Sequence, residues 1–171
     1  FYNRDNDDLS AKYNEIKNFF EEEIDNDTVV HVHNLNLGKN PAYTLALHDL
    51  AEQGMKILNH AHDFAEDRPD NMDFLKAVVE DIFDRDLQNV LYPDFDNYKF
   101  AVLNSFDRKR LYEKTVDEER VYFLPNPINV PDVDFSDSNK KEHKKTICGS
   151  LGIFPDKLLF VYPVRVIRRK N

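Results

Sequence analysis

Two His-x-His pairs are the residues of this chain whose type and spacing best suit chemistry. The first pair is His31 and His33, and the second is His60 and His62. Alternate residues of a β-strand share a face, so each pair could offer two imidazoles to one metal ion. A metal-dependent hydrolase built on these histidines is therefore one hypothesis for the function.

A metal site of this kind needs ligands beyond the two pairs, and the sequence offers few candidates. The other histidines, His48 and His143, fall in helical patterns, and the later predicted strands end in Asn and Pro rather than in His or Asp. A site completed by Asp63 or Glu66 stays open. For His31 and His60 we favour packing within the sheet with both ring nitrogens satisfied, and we expect no metal to be required.

The elements that must position these histidines alternate between strands and helices. Runs rich in β-branched and aromatic residues predict strands within 28–33, 55–62, 99–104, 120–125 and 157–166. Apolar residues at three- and four-residue steps predict helices between them. This alternation is typical of an α/β, Rossmann-like fold, with an open parallel sheet and helices on both faces.

The sequence makes specific predictions for two of the helices. Asp70 or Asn71 is predicted to cap the helix that follows the second strand. A last helix over 138–150 is expected to turn Ile147 and Leu151 inward. Cys148 is predicted to be a small buried or half-buried residue, because nothing near it marks a nucleophile.

Ligands of open parallel sheets bind beyond the carboxyl ends of the strands. The polar residues that the sequence places there are His33, Asn34, His62, Asp63, Asn104 and Asn126. Their convergence on one edge predicts a binding site.

The turn at Gly38 and Pro41 leads into a helix at the same edge. Its free amides, with Lys39 close by, would suit an anionic or hydroxyl-rich ligand. An ordinary helix start explains Lys39 equally well.

Composition excludes several classes of protein. The chain has 171 residues and a net charge of -9, which argues against a nucleic-acid binder. It lacks a run of about 18 apolar residues, so no membrane span is expected. One cysteine and the absence of a signal-peptide pattern predict a reducing, cytoplasmic location. Gly-x-Ser-x-Gly, Gly-x-Gly-x-x-Gly and Walker patterns are absent.

Several stretches together resemble retaining glycosyltransferases of family 4. They are "VVHVHNLNLGKNPAYTLAL", "NHAHDFAED", "AVLNSFDRKRL", "VYFLPNPINVP" and "LLFVYPVRVIRRKN". The resemblance runs from Thr28 to Asn171, and it implies the B-type architecture of two Rossmann-like domains facing a cleft. Val164 and Asn171 stand where the family's last segment has Gly.

The resemblance implies roles for particular residues. His62 matches the family's histidine near the donor sugar or acceptor, which makes it the expected catalytic residue. Arg165 and Lys170 match the cations that neutralise the donor diphosphate. The implied substrates are a nucleotide sugar and an unknown acceptor, with no metal cofactor.

The resemblance also implies that the chain is part of a longer enzyme. Residues 1–137 would form an incomplete N-terminal, acceptor-side domain without its first strands. Residues 138–171 would form a linker helix and the first strand of the nucleotide-sugar-binding domain. The fragment alone is expected to be inactive. A non-catalytic Rossmann-like binding module is a further alternative, and unpaired apolar surface could let the fragment form a homodimer.

Overall fold

A computed structural model describes residues 9–25, 27–114, 116–127 and 136–156. The chain divides into two compact units, Phe1–Pro127 and Ile128–Asn171. The first unit carries the sheet and the second carries one described helix. The predicted domain boundary after residue 137 stays a prediction, as does the strand at 157–166, which lies outside the described residues.

The first unit is built on a parallel sheet whose strands follow chain order. The strands are β1 (Val29–His33), β2 (Lys56–Ala61), β3 (Tyr98–Val102) and β4 (Val121–Phe123), and the sheet order is β1-β2-β3-β4. All three neighbouring pairs are parallel, and His33 lies opposite His60 in the register. The predicted α/β class and open parallel sheet are confirmed.

The helices fill the connections between the strands. They are α1 (Leu9–Glu23), α2 (Pro41–Glu52), α3 (Pro69–Lys76), α4 (Leu87–Leu91), α5 (Ser105–Glu113) and, in the second unit, α6 (Asp137–Ser150). A π-helical segment, Ala77–Ile82, continues α3. Within the described ranges, none of the helices has both the length and the apolarity that crossing a membrane requires.

One face of the sheet forms the core. Alternate strand residues such as Val32, Ile57 and Phe100 are buried there, and they cluster with apolar side chains of the crossover helices such as Leu45 and Leu111. Helix α1 packs mainly against α2 rather than against the sheet. The packing therefore places one helical layer on this face and α1 outside it.

The opposite face of the sheet is exposed at several of the described residues of the first unit. Val29 is 55 % exposed and Tyr122 is 52 % exposed, and both alternate with core residues along their strands. A right-handed crossover between consecutive neighbouring strands always brings its helix to the same side. Strictly sequential strand order therefore explains why the described helices that connect these strands pack on the core face.

Some local expectations fail for identifiable reasons. The predicted cap of α3 at Asp70 or Asn71 is wrong, because Pro69 already occupies the first helical turn and Arg68 precedes it. Ile147 and Leu151 are 45 % and 61 % exposed, so their predicted inward orientation is wrong. Cys148 is buried as predicted. The short helix α4 was not predicted, since five residues are too few to show a period.

The turn that follows β1 depends on Gly38. Its φ of +62° lies in the left-handed region, and a Cβ placed there would clash with Leu75 Cδ2. Leu75 is fully buried in the core. The turn therefore needs glycine for its backbone conformation and also for the close approach of α3.

Gly38→Ala should lower the free energy of unfolding by about 2–4 kcal/mol, through left-handed backbone cost and overpacking together. Chemical denaturation measures this loss. In a Leu75→Ala background the clash disappears, so the same substitution should cost only about 1–2 kcal/mol. Equal losses in the two backgrounds would contradict the close-packing account.

Candidate functional site at the carboxyl edge of the sheet

Asn34 joins the two loops that leave β1 and β2. It adopts the left-handed conformation, with φ 59°, which asparagine tolerates better than most residues. Its backbone amide donates to the His60 carbonyl at 2.9 Å. Its side-chain Oδ1 accepts from the backbone amides of His62 at 2.7 Å and Asp63 at 3.0 Å. One amide side chain thereby fixes the backbone that carries His62.

Two buried asparagines reinforce this link from below. Asn59 Oδ1 accepts from the Leu35 amide at 3.1 Å, and Asn59 Nδ2 donates to Asn36 Oδ1 at 3.3 Å. Asn36 Nδ2 in turn donates to the Asp63 carbonyl at 3.0 Å. Both asparagine residues are fully buried. Buried amides that satisfy one another hold the loops in one arrangement, because breaking a single bond leaves another polar group unpaired.

The same edge brings two predicted site histidines into contact. His33 Nδ1 lies 2.9 Å from His62 Nε2. A bond between two imidazoles needs one N–H donor and one lone-pair acceptor, so at least one ring is neutral. His33 is exposed and His62 is half-buried, which leaves the pair open to a ligand.

The histidines of β2 are biased towards the neutral form. Burial lowers the pKa of His62, and the neighbouring His33 lowers it further. Burial likewise lowers the pKa of His60, with the nearby His62 and His33 adding to the effect. Neutral imidazoles can both accept and donate hydrogen bonds, as recognition of hydroxyl groups requires.

The loop after β2 is tied to α5 by charged contacts. Glu66 accepts from Lys114 at 2.7 Å and from the Tyr92 hydroxyl at 2.9 Å. Asp67 receives two bonds from Arg110, at 2.8 and 3.0 Å. The Arg110 guanidinium also stacks on Phe64, 4.0 Å from the ring centre. These contacts hold the segment beyond His62 against the body of the fold.

The carboxylates near the histidines already have cationic partners. Asp63 pairs with Arg68 at 2.8 Å. Burial alone would raise the pKa of Glu66, but the hydrogen bonds from Lys114 and Tyr92 outweigh burial and lower it. These carboxylates are therefore engaged in the fold, which disfavours their predicted role in completing a histidine metal site.

Histidine rings form a cluster that could itself hold a metal. Among the described residues, His31, His33 and His60 each offer a ring nitrogen, and these nitrogens lie within 4.8 Å of one another. His31 is exposed, so its predicted packing inside the sheet is wrong. His60 is buried as expected, yet its Nδ1 has no partner among the described residues, contrary to the expectation of satisfied nitrogens.

The remaining predicted site residues are placed as follows. Asn104 caps α5, where its Oδ1 accepts from the Asp107 amide at 2.9 Å and its Nδ2 donates to the Asp107 carboxylate at 2.6 Å. Asn126 is exposed beyond β4. Arg165 and Lys170 lie outside the described residues. The structure therefore brings together His33, Asn34, His62 and Asp63, and it gives Asn104 a capping role.

The start of α2 is an ordinary capped helix terminus. Asn40 Oδ1 accepts from the Tyr43 amide at 3.1 Å, and Pro41 has no amide hydrogen to offer. Pro41 and Ala42 are buried, so the amides at this end do not form the open anion site that was one prediction. Lys39 is exposed.

Sequence reasoning missed Asn36 and Asn59, which support the site without being exposed. One signal was present, since asparagine is rare within buried strands and Asn59 stands in the middle of "KILNHA". Lys114 and Arg110 gave no signal, because their partners on the β2 loop are distant in sequence.

Asn34→Ala should lower the free energy of unfolding by about 1–3 kcal/mol, since two partly buried amides lose their acceptor and alanine resists the left-handed conformation. Hydrogen exchange should show faster exchange at the amides of His62 and Asp63. Asn34→Asp keeps the accepting oxygen and should retain most of the stability and protection. An aspartate variant as damaged as the alanine variant would contradict the assigned bonds.

Glu66→Gln should remove part of the acid dependence of stability. Because folding lowers the pKa of Glu66 below its ordinary 4.5, the ionised carboxylate stabilises the fold above that pH, and the gain is lost as pH falls through the folded pKa. The variant should be less stable by about 1–3 kcal/mol at pH 7, and the difference should shrink in acid. Denaturation curves across pH measure this.

Glu80→Gln is the matched control. Glu80 pairs with Lys76 at 3.8 Å across one helical turn, and such surface pairs contribute under about 1 kcal/mol. A difference for Glu66→Gln that stays constant with pH would contradict the account.

One curated protein shares sequence with most of this chain. The chain is 30 % identical, over an alignment of 162 residues that covers 91 % of the chain, to mannosylglucosyl-3-phosphoglycerate synthase from Petrotoga mobilis (strain DSM 10674 / SJ95). It spans 30 % of the length of that relative. No family model matches the chain, and no solved structure matches it either.

Proposed function

We propose that this chain is the acceptor-side part of a glycosyltransferase, which moves a sugar from a nucleotide-sugar donor to an acceptor with retention of configuration. The observation that carries the proposal is the 30 % identity over 162 residues to a synthase whose named product bears two sugars on 3-phosphoglycerate. The Rossmann-like parallel sheet agrees with it. The metal-dependent hydrolase gains no comparable support.

The reaction sets clear demands on the site. The bond between the anomeric carbon of the donor sugar and the diphosphate oxygen breaks, and a bond from the same carbon to an acceptor oxygen forms. The nucleoside diphosphate leaves with the bonding electrons, and the acceptor hydroxyl gives up its proton. The protein must hold the acceptor hydroxyl next to the anomeric carbon, accept hydrogen bonds from sugar hydroxyls and stabilise charge on the leaving group.

His62 is the proposed catalytic residue at this edge. It is half-buried and biased towards neutrality by burial and by His33, so its imidazole suits a hydrogen bond to a hydroxyl of the donor sugar or the acceptor. Asn34 positions it through the two backbone amides that it accepts. The other proposed substrate contacts are His33, Asn34, Asp63, Asn104 and Asn126.

Arg165 and Lys170 are proposed to neutralise the donor diphosphate. The proposal rests on the resemblance of "VRVIRRKN" to the family segment with those cations. Two fixed positive charges stabilise a departing diphosphate in the way a metal ion does in other enzymes. Sugar transfer itself is therefore proposed to need no metal.

The test is a transfer assay on the full-length protein. Nucleotide sugars that differ in base and sugar are offered with phosphoglycerate-type and sugar acceptors, and nucleoside diphosphate release is coupled to NMR of the product. Retention predicts the same anomeric configuration in product and donor. Absence of transfer from every donor, or inversion of configuration, would contradict the proposal.

His62→Ala should lower kcat/KM by at least about 100-fold, the scale expected for a positioned catalytic side chain. His143→Ala is the matched control, since His143 is exposed on α6, and it should leave activity unchanged. Comparable losses in both variants, or none in His62→Ala, would remove His62 from the assigned role.

A further inference from the structure

Three imidazoles meet on the open face of the sheet, across the pairing of β1 and β2. His31 and His33 are alternate residues of one strand, and His60 is the register partner of His33. The ring centres lie 4.8 Å apart for His31 and His33, and 5.1 Å apart for His33 and His60. Strand geometry thus places the three rings close together on one face of the sheet.

The hydrogen bond of His60 leaves one nitrogen free for a ligand. Its Nε2 lies 2.9 Å from the Leu124 carbonyl oxygen, which can only accept, so Nε2 carries the proton. In the neutral ring the lone pair is then on Nδ1, which is buried without a partner among the described residues. His60 is only 4 % exposed. A buried imidazole lone pair without a donor is what a metal ion would satisfy.

His33 can offer a free ring nitrogen to a ligand in the same way. When its Nδ1–H donates to His62 Nε2, across the observed 2.9 Å, its own Nε2 lone pair is left for a ligand. Histidines that bind metals almost always donate their other N–H to a nearby acceptor, which fixes the tautomer and the ring orientation. The Leu124 carbonyl oxygen is the acceptor for His60, and His62 Nε2 is the acceptor for His33.

We propose that His31, His33 and His60 form a binding site for one divalent transition-metal ion of the zinc class. A tetrahedral zinc ion with nitrogens at about 2.0–2.1 Å holds them about 3.3–3.4 Å apart. One ring nitrogen from each of the three histidines now lies within 4.8 Å of the others. Because His31 and His33 are exposed, their rings can turn to close this gap while buried His60 stays fixed.

The ligand set selects the class of metal. Three neutral imidazoles suit Zn²⁺, Co²⁺, Ni²⁺ or Cu²⁺, whereas Mg²⁺ and Ca²⁺ prefer oxygen ligands. Three protein ligands on an open face leave the fourth position to water or another ligand. The lowered pKa of His60 favours the neutral ring that metal binding needs.

This inference does not depend on the proposed function. It concerns binding of an ion at the histidine cluster, and it leaves sugar transfer without a required metal. A bound ion would fix the ring of His33 and, through the hydrogen bond between them, the ring of His62. The site would therefore link β1 to the loop that carries His62.

The test is a metal titration of the metal-free full-length protein, purified without a polyhistidine tag. Zn²⁺ is titrated in competition with a chromophoric chelator, and Co²⁺ is titrated separately while its visible absorption is recorded. We expect one equivalent of Zn²⁺ per chain and the intense bands of four-coordinate Co²⁺. Zn²⁺ should also raise the melting temperature, because it binds the folded state.

His31→Ala is the diagnostic variant, because His31 is exposed and its loss should leave the fold intact, as circular dichroism can verify. It should weaken Zn²⁺ binding at least about 10-fold, since even partners of metal ligands have effects of that size. It should also reduce the thermal shift. His143→Ala, at an exposed histidine outside the cluster, should change neither.

Clear results would overturn the proposal. They are absence of stoichiometric Zn²⁺ binding in the competition, unchanged affinity in His31→Ala, or equal weakening by His31→Ala and His143→Ala. The last result would identify scattered surface histidines as the source of binding.

Discussion

The arrangement of the candidate site depends on one asparagine side chain. Asn34 Oδ1 accepts from the amides of His62 and Asp63, at 2.7 and 3.0 Å, and this joins the exits of β1 and β2. Buried Asn36 and Asn59 hold the same two loops from beneath. Without these bonds, the contact between His33 at the end of β1 and His62 would depend on a loop held only at its ends, and such loops are mobile.

The order of the strands decides which face of the sheet is exposed beside the site. Sequential strands with right-handed crossovers put the connecting helices on one face, so the described part of the first unit leaves the histidine face of its sheet without a covering helix. The same constraint therefore exposes His31 and His33 and leaves the apolar residues Val29 and Tyr122 in contact with solvent. The edge proposed to bind substrate and the cluster of imidazoles thus lie next to each other.

Much of this could be predicted from the sequence. The strand patterns in "TVVHVH" and "MKILNHAH" located β1 and β2. The predicted ends of these strands also placed His33, Asn34, His62 and Asp63 together at one edge of the sheet, where the structure has them. Local patterns do not reveal which face a helix covers or which distant cation meets Glu66, because both depend on tertiary packing. Asn104 shows a further limit: an asparagine at a strand end can be a cap of the next helix, and the sequence alone does not separate that use from ligand binding.

The most direct measurement of the central claim is a crystal structure of the full-length protein with a nucleoside diphosphate and an acceptor sugar bound. The account predicts a substrate hydroxyl within hydrogen-bonding distance of the His62 ring, beside a loop still held by Asn34. Substrates bound away from the carboxyl edge of β1 and β2, with His62 in contact with neither, would contradict it.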